Sequence, residues 1–229
     1  MKKIGFIDYY LDEWHANHYP SFIKELSQGG YNVTCAYGAV DSPNGLSNAE
    51  WSEMHGIPLK SSIEDVMAEC DAAIVLSPDN PEQHPFLCDI PFRSGKPVYV
   101  DKTFAVNAGT ARTLFEIAEK HNTPCFSSSA LRFSSELTSF TDIDITCLYS
   151  EGPGFYDIYS IHQIEPIVSL MKATPKGVMF AGNKAHPSMI ISFADGRYAH
   201  MLQRNDHESS FRLTAVRDDN SASVCTIRS

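Results

Sequence analysis

At 229 residues, 43% hydrophobic and 11% aromatic, the chain can build one large domain or two small ones, which excludes a disordered polymer. A formal charge of −10 lacks the basic face that nucleic acid requires. No apolar run reaches membrane-span length, Asp8 arrives too early for a signal peptide, and six scattered cysteines show no C-x-x-C pair, so the reading is a reduced, cytoplasmic protein without a zinc site.

Residues 3–8 read as a short apolar strand. Residues 20–27 have helical spacing through Phe22, Ile23 and Leu26 and stop at Gly29-Gly30, a C-cap signal. Residues 31–37 predict a second strand, 50–55 a short helix, and Ser62 opens another helix running to about Cys70. Residues 72–76 are a continuous apolar run ended by Ser77-Pro78, as expected for a strand buried on both faces. A helix over 81–94, a strand over 97–100, an amphipathic helix over 108–121 and a strand over 124–127 follow. Strand and helix alternating in this way predict a Rossmann-like, doubly wound parallel sheet over residues 1–127.

From residue 142 the pattern changes. Residues 142–149 are strand-like, and 156–171 read as one helix with Pro166 inside it, where a kink or restart is expected. Strand candidates then cover 177–181, 188–194, 198–203, 211–215 and 222–227, with Asp195-Gly196 a strong hairpin signal. Residues 128–229 therefore predict an α+β domain with a mostly antiparallel sheet, serving substrate binding and oligomerisation. An uncovered sheet face needs a partner, so a homodimer or higher oligomer is expected.

The chemistry concentrates at the end of the strand over 97–100, where Asp101 and Lys102 follow directly. Carboxyl ends of parallel strands face the crevice where ligands bind, and a lysine there can exchange a proton with a substrate hydroxyl. The plain alternative is a surface lysine paired with its neighbour. A nucleotide-binding sheet usually carries G-x-G-x-x-G at its first strand–helix turn. Here the turn holds Asp8, Tyr9, Tyr10, Asp12 and Glu13, which bring negative charge and bulk toward a phosphate. Asp41 is the nearest acid for a ribose hydroxyl, though a loop aspartate more often serves its own turn. His162 and Glu165 share a helix face, as His15 and His18 share a stretch, but neither pair has further ligands at metal spacing, so no metal is assigned.

Residues 72–78, then Gln83-His84, then 95–103 (G-K-P-V-Y-V-D-K-T) resemble the Gfo/Idh/MocA oxidoreductases, relatives of glucose–fructose oxidoreductase and inositol dehydrogenase. The helix over 108–121, Leu131-Arg132-Phe133 and residues 159–165 (Y-S-I-H-Q-I-E) fit the same series, and the chain is identified as a short, divergent member. The resemblance implies oxidation of a sugar or polyol hydroxyl with NAD or NADP. It puts Lys102 and His162 in catalytic roles, with Ser77, Pro78, Asn80, His84 and Asp101 along the cofactor and Arg132, Asp157 and Tyr159 around the substrate. The departures are specific. The glycine motif is absent, Glu-Lys-Pro has become Asp101-Lys102-Thr103, and the usual aspartate four before the histidine is Ile158, with Asp157 about 100° away around the helix. They leave a second expectation open: a non-catalytic relative that keeps a sugar-binding crevice, or acts as an interaction subunit, after losing the cofactor.

Overall fold

The computed structural model describes residues 1–140 and 143–227. Its first unit, Met1–Ser127, is organised around β1 (Lys2–Asp8). Beside it lie β2 (Tyr31–Gly38), β3 (Ala72–Val75), β4 (Val98–Val100) and β5 (Cys125–Phe126), in the order β2-β1-β3-β4-β5 with every pair parallel. The winding reverses between β1 and β3, so the carboxyl ends of these two strands bound the crevice where such sheets take ligands.

Both faces of this sheet are covered, as a parallel sheet requires. Ile4 and Phe6 of β1 join a cluster with Leu11, Ala16, Trp51 and Leu76, closed by α1 (Trp14–Leu26) and α2 (Asn48–His55). Ile7 joins the other, with Val66, Leu87, Phe92 and Leu114 from α3 (Ile63–Glu69), α4 (His84–Phe92) and α5 (Ala108–Lys120). Burying each such side chain stabilises by about 1.5–3 kcal/mol, so the two-sided apolar pattern commits the chain to this layered form. The doubly wound sheet expected from the sequence is the one observed.

Helix α1 differs from its prediction in an instructive way. The sequence suggests Pro20 as the helix start, because proline favours a first turn. The helix instead begins at Trp14 and carries Pro20 inside it, with Glu13 as N-cap. Helix α2 starts two residues before its prediction, at a capping box in which Ser47 and Glu50 exchange side-chain and backbone hydrogen bonds. Residues 81–83 form a 3-10 turn ahead of α4 in place of one longer helix.

The second unit, Ser128–Ser229, places α6 (Tyr156–Met171) against a sheet that has six strands among the described residues. These are β6 (Cys147–Gly152), β7 (Pro175–Gly182), β8 (Pro187–Phe193), β9 (Tyr198–Gln203), β10 (Phe211–Val216) and β11 (Ala222–Ile227), in the order β11-β10-β6-β9-β8-β7. Only the β6–β9 pair among them is parallel. Residue 142, the predicted start of β6, lies outside the described residues. Pro166 sits within α6 without dividing it. Gly196, at φ 91°, makes the turn that returns β8 into β9, a conformation that costs an L-residue free energy.

Polar order also holds this unit together. Buried Gln163 of α6 accepts from Ser150 of β6 at 2.7 Å and donates to Gln203 of β9 at 2.8 Å. Gln203 in turn donates to the carbonyl of Gly154 at 2.9 Å. Each buried amide is therefore satisfied, which fixes the rotation of α6 over its sheet. No helix among the described residues is long and apolar enough to cross a membrane.

Candidate functional site

At the carboxyl ends of β1, β3 and β4 the first unit collects ionisable groups that bulk water would normally claim. Asp8 ends β1 and is 1% exposed, Asp101 follows β4 at 1%, and Lys102 beside it is 8% exposed. Ser77, just after β3, is buried in the left-handed region at φ 64°, a conformation concentrated at working sites. Its hydroxyl donates to the carbonyl of Asn80 at 3.3 Å. The peptide bond between Lys102 and Thr103 is cis.

Helix α1 closes this cluster. The Glu13 carboxylate accepts from the backbone N–H of His15 at 2.8 Å and from that of Ala16. The same carboxylate meets His15 Nδ1 at 2.7 Å, which aims Nε2 toward Asp101 Oδ2, 3.6 Å away. Tyr99 donates its hydroxyl to Asp101 Oδ1 at 2.9 Å, and the Tyr19 ring stands edge-on to His15 with centroids 5.2 Å apart. Asp8 Oδ1 accepts from the N–H of Tyr9 at 2.7 Å. Asp8 Oδ2 and Asp101 Oδ2, both buried, have no hydrogen-bond partner among the described residues.

Burial sets the protonation of these acids. It pushes the Asp8 carboxyl well above the usual carboxylate range, the charge of Glu13 adds to the push, and the N–H groups of Tyr9, Ser77 and Tyr10 oppose it. Burial also raises Asp101, against the charges of His15 and Lys102 and the Tyr99 hydroxyl. The Tyr19 phenol is raised by burial and then by Asp101 and Glu13. Tyr10 is raised by burial and then by Asp79, Asp8 and Glu13. The local field is therefore negative.

Several residues singled out in the sequence do structural work here. His84 is fully buried and spends both ring nitrogens on backbone carbonyls, Nδ1 with Phe104 at 2.9 Å and Nε2 with Leu76 at 2.8 Å. Asp41 accepts from the N–H of Asn48 at 2.8 Å and so helps to seat α2. Pro78 is buried, and Asn80 donates to Glu82 at 3.2 Å. The participation of Glu13 and His15 was missed at the sequence level. An acid and a histidine two apart, standing where a glycine turn is usual, were the available signal.

In the second unit, His162 of α6 shares a 2.7 Å hydrogen bond between Nδ1 and the hydroxyl of buried Ser129. Tyr159 lies edge-on to its ring with centroids 5.4 Å apart. One turn along α6, Glu165 accepts from Arg132 at 3.0 Å. Asp157 is exposed in the first turn of the helix. His162, Tyr159, Ser129, Arg132 and Glu165 thus form one polar group in this unit.

No protein-family model matches the sequence, and no curated protein does. Solved structures do. The chain is similar to GenD2 of gentamicin A biosynthesis in complex with NAD, at TM-score 0.80 and 10% identity over 99% of this chain and 72% of that one. The apo scyllo-inositol dehydrogenase of Lactobacillus casei gives 0.74 and 14% over 97% and 74%. UDP-N-acetylglucosamine 3-dehydrogenase GnnA of Acidithiobacillus ferrooxidans gives 0.69 and 14% over 97% and 76%. The chain has the fold of the Gfo/Idh/MocA dehydrogenases. At these identities the likeness is one of fold.

That fold raises the question of a dinucleotide, whose pyrophosphate would sit on the N-terminus of the helix after β1. The residues present do not fit it. The N–H groups of His15 and Ala16 are already bound by Glu13, and that of Leu11 is bound by Asn48 Oδ1 at 3.0 Å. The Glu13 carboxylate holds the N–H groups that a phosphate would need, and Asp8, whose carboxyl feels the charge of Glu13, adds a second acid.

Proposed function

We propose that this protein binds a sugar or polyol at the carboxyl ends of β1, β3 and β4, as a relative of the Gfo/Idh/MocA oxidoreductases that has given up the orthodox seat for NAD or NADP. One observation carries the reading: the Glu13 carboxylate on the N–H groups of α1, where a pyrophosphate would need them. Lys102, buried at the end of β4, holds a ligand hydroxyl, with Asp101 next to it as acceptor. In the second unit His162, Tyr159, Arg132 and Asp157 are the groups assigned to the same ligand class. Calorimetric titration tests this. Inositol or glucose should bind, NAD and NADP should give no saturable heat at millimolar concentration, and Lys102→Ala should weaken sugar binding by about tenfold or more, roughly 1.4 kcal/mol. Saturable dinucleotide binding would overturn it.

A second reading is favoured by the fold shared with GenD2, a structure that holds NAD. On it the protein is an NAD(P)-dependent oxidoreductase, with Lys102 and His162 as catalytic residues and Ser77, Pro78, Asn80, His84 and Asp101 bordering the cofactor. Reduction of NAD by a sugar, measured at 340 nm as absorbance (roughly the nicotinamide band), would establish it.

The assembly belongs to the same proposal. Edge strand β7 leaves Val178, Met179 and Phe180 each more than half exposed, which supports a homodimer or higher oligomer through the second unit's sheet. Light scattering should return at least twice the 25.4 kDa chain mass, and a monomer at micromolar concentration would refute the assembly. All six cysteines are unpaired, which supports a cytoplasmic, reducing location that cell fractionation can check.

A further inference from the structure

Ser129 is fully buried, so its hydroxyl must find its partners inside the protein. Among the described residues it has two. Oγ accepts from the backbone N–H of Leu131 at 3.2 Å, which caps the 3-10 turn Ala130–Phe133, and it meets His162 Nδ1 at 2.7 Å. The Leu131 N–H is a donor and can take no proton. His162 Nδ1 is therefore the acceptor available to the Ser129 hydroxyl proton among the described residues. The two acids of α6 are placed otherwise, since Glu165 pairs with Arg132 at 3.0 Å and Asp157 is exposed in the first turn.

In a neutral imidazole one nitrogen donates and the other accepts, and the bond made at one decides where the proton sits. We infer that Ser129 is a positioning residue that donates to Nδ1 and so holds the neutral His162 ring with its proton on Nε2. A carboxylate in the same place would accept from Nδ1–H and leave Nε2 bare, ready to take a proton. A hydroxyl with no other acceptor does the reverse and makes Nε2 a donor. The half-buried ring is steadied by Tyr159 and Phe211, both edge-on to it, with centroids 5.4 and 6.0 Å away. The consequence for the ligand rests on the sugar-binding reading above. His162 holds the ligand through an acceptor oxygen, a hydroxyl or a carbonyl, and is not the base that removes a hydroxyl proton.

Nitrogen-15 NMR of the whole chain, labelled at histidine and held in mildly alkaline buffer, tests this, because protonated and bare ring nitrogens resonate far apart. His162→Gln identifies the signals of that ring among those of the nine histidines. Wild type should show a proton on Nε2 and none on Nδ1. Ser129→Ala should give a mixture of the two tautomers, and Ser129→Thr, which keeps the hydroxyl, should restore the wild-type pattern. A proton on Nδ1 in wild type overturns the inference. So does an unchanged Ser129→Ala spectrum, or a folded Ser129→Thr that fails to restore the pattern. If the alanine variant does not fold, the wild-type spectrum decides. Calorimetry with inositol and glucose reads the consequence: Ser129→Ala should weaken binding by about fivefold or more, and Ser129→Thr by less than about twofold. Unchanged affinity in folded Ser129→Ala overturns the donor role of His162. A wild type that binds neither sugar overturns the sugar-binding reading, while the spectrum still decides the tautomer.

Discussion

Replacing Trp51 with alanine is expected to lower the stability of the first unit by about 3–5 kcal/mol, the range for removing a large buried aromatic. Trp51 is fully buried in the cluster that fills the α1–α2 side of the sheet. Its indole N–H donates to Asn17 Oδ1 at 2.8 Å, and Asn17 donates in turn to Asp12 Oδ1 at 2.9 Å. Asp12 then accepts from the N–H of Leu46 at 2.7 Å. The indole is thus the post to which the first turn of α1 is tied, the turn that carries Glu13 and His15. Urea unfolding followed by near-ultraviolet circular dichroism measures the loss. Trp51→Phe keeps most of the volume but removes the indole donor from Asn17 Oδ1, leaving it His55 Nε2 at 3.2 Å, and should fall between wild type and alanine. A loss below about 1 kcal/mol for the alanine variant would mean that the cluster relaxes around the hole.

Asp8→Asn should flatten the dependence of stability on pH. The folded-state pKa of Asp8 is raised, so between the ordinary carboxylate value and the raised one the native protein holds a proton that the unfolded chain has released. Over that window the native state binds more protons, and stability falls as pH rises. Above the raised pKa the whole penalty of a buried charge is present, and below the ordinary value it vanishes. Asparagine cannot ionise. The variant should therefore match wild type in strong acid and gain on it toward neutral pH, by about 1.4 kcal/mol for every tenfold displacement of the proton affinity. The N–H of Tyr9 keeps its acceptor, because an amide oxygen can replace Asp8 Oδ1. Urea midpoints measured from acid to neutral pH decide it. Parallel curves for the two proteins would show that Asp8 titrates alike in the folded and unfolded states.

The sequence revealed the sheet and its helices wherever hydrophobic spacing was unambiguous. The helix Tyr156–Met171 could be read to the residue, and the apolar run 72–76 announced a strand covered on both faces. Helix α1 could not be placed, for two local reasons. Proline at 20 imitates a helix start, and glutamate is a rarer N-cap than serine, threonine, aspartate or asparagine. That one boundary also hid part of the site. With residues 9–19 read as a turn, Glu13 counted only as charge toward a phosphate and His15 only as half of a metal pair, although α1 sets His15 Nε2 3.6 Å from Asp101 with Glu13 on its other ring nitrogen. Asp101 and Lys102 were visible because they end a strand, a position that itself points at the crevice. His84, which opens α4, was singled out only by the family resemblance. Its two carbonyl partners, Leu76 and Phe104, are 8 and 20 residues away, too dispersed for sequence spacing to reveal.

Gly5 stands inside β1, and its packing there is specific. A Cβ at that position would stand 2.4 Å from Val66 Cγ1 and 3.1 Å from Cys70 Sγ, so the missing side chain is clearance for α3. Large residues at 4 and 6 face one layer while the gap at 5 admits the other, which makes β1 a ruler with a single legal setting. Adding or deleting one residue there would drive Phe6 into the helix and swing residue 8 to the opposite side of the sheet. The acid at the strand's tip is held at its address by a notch three residues upstream, and a lineage that moved the notch would have to surrender the acid too.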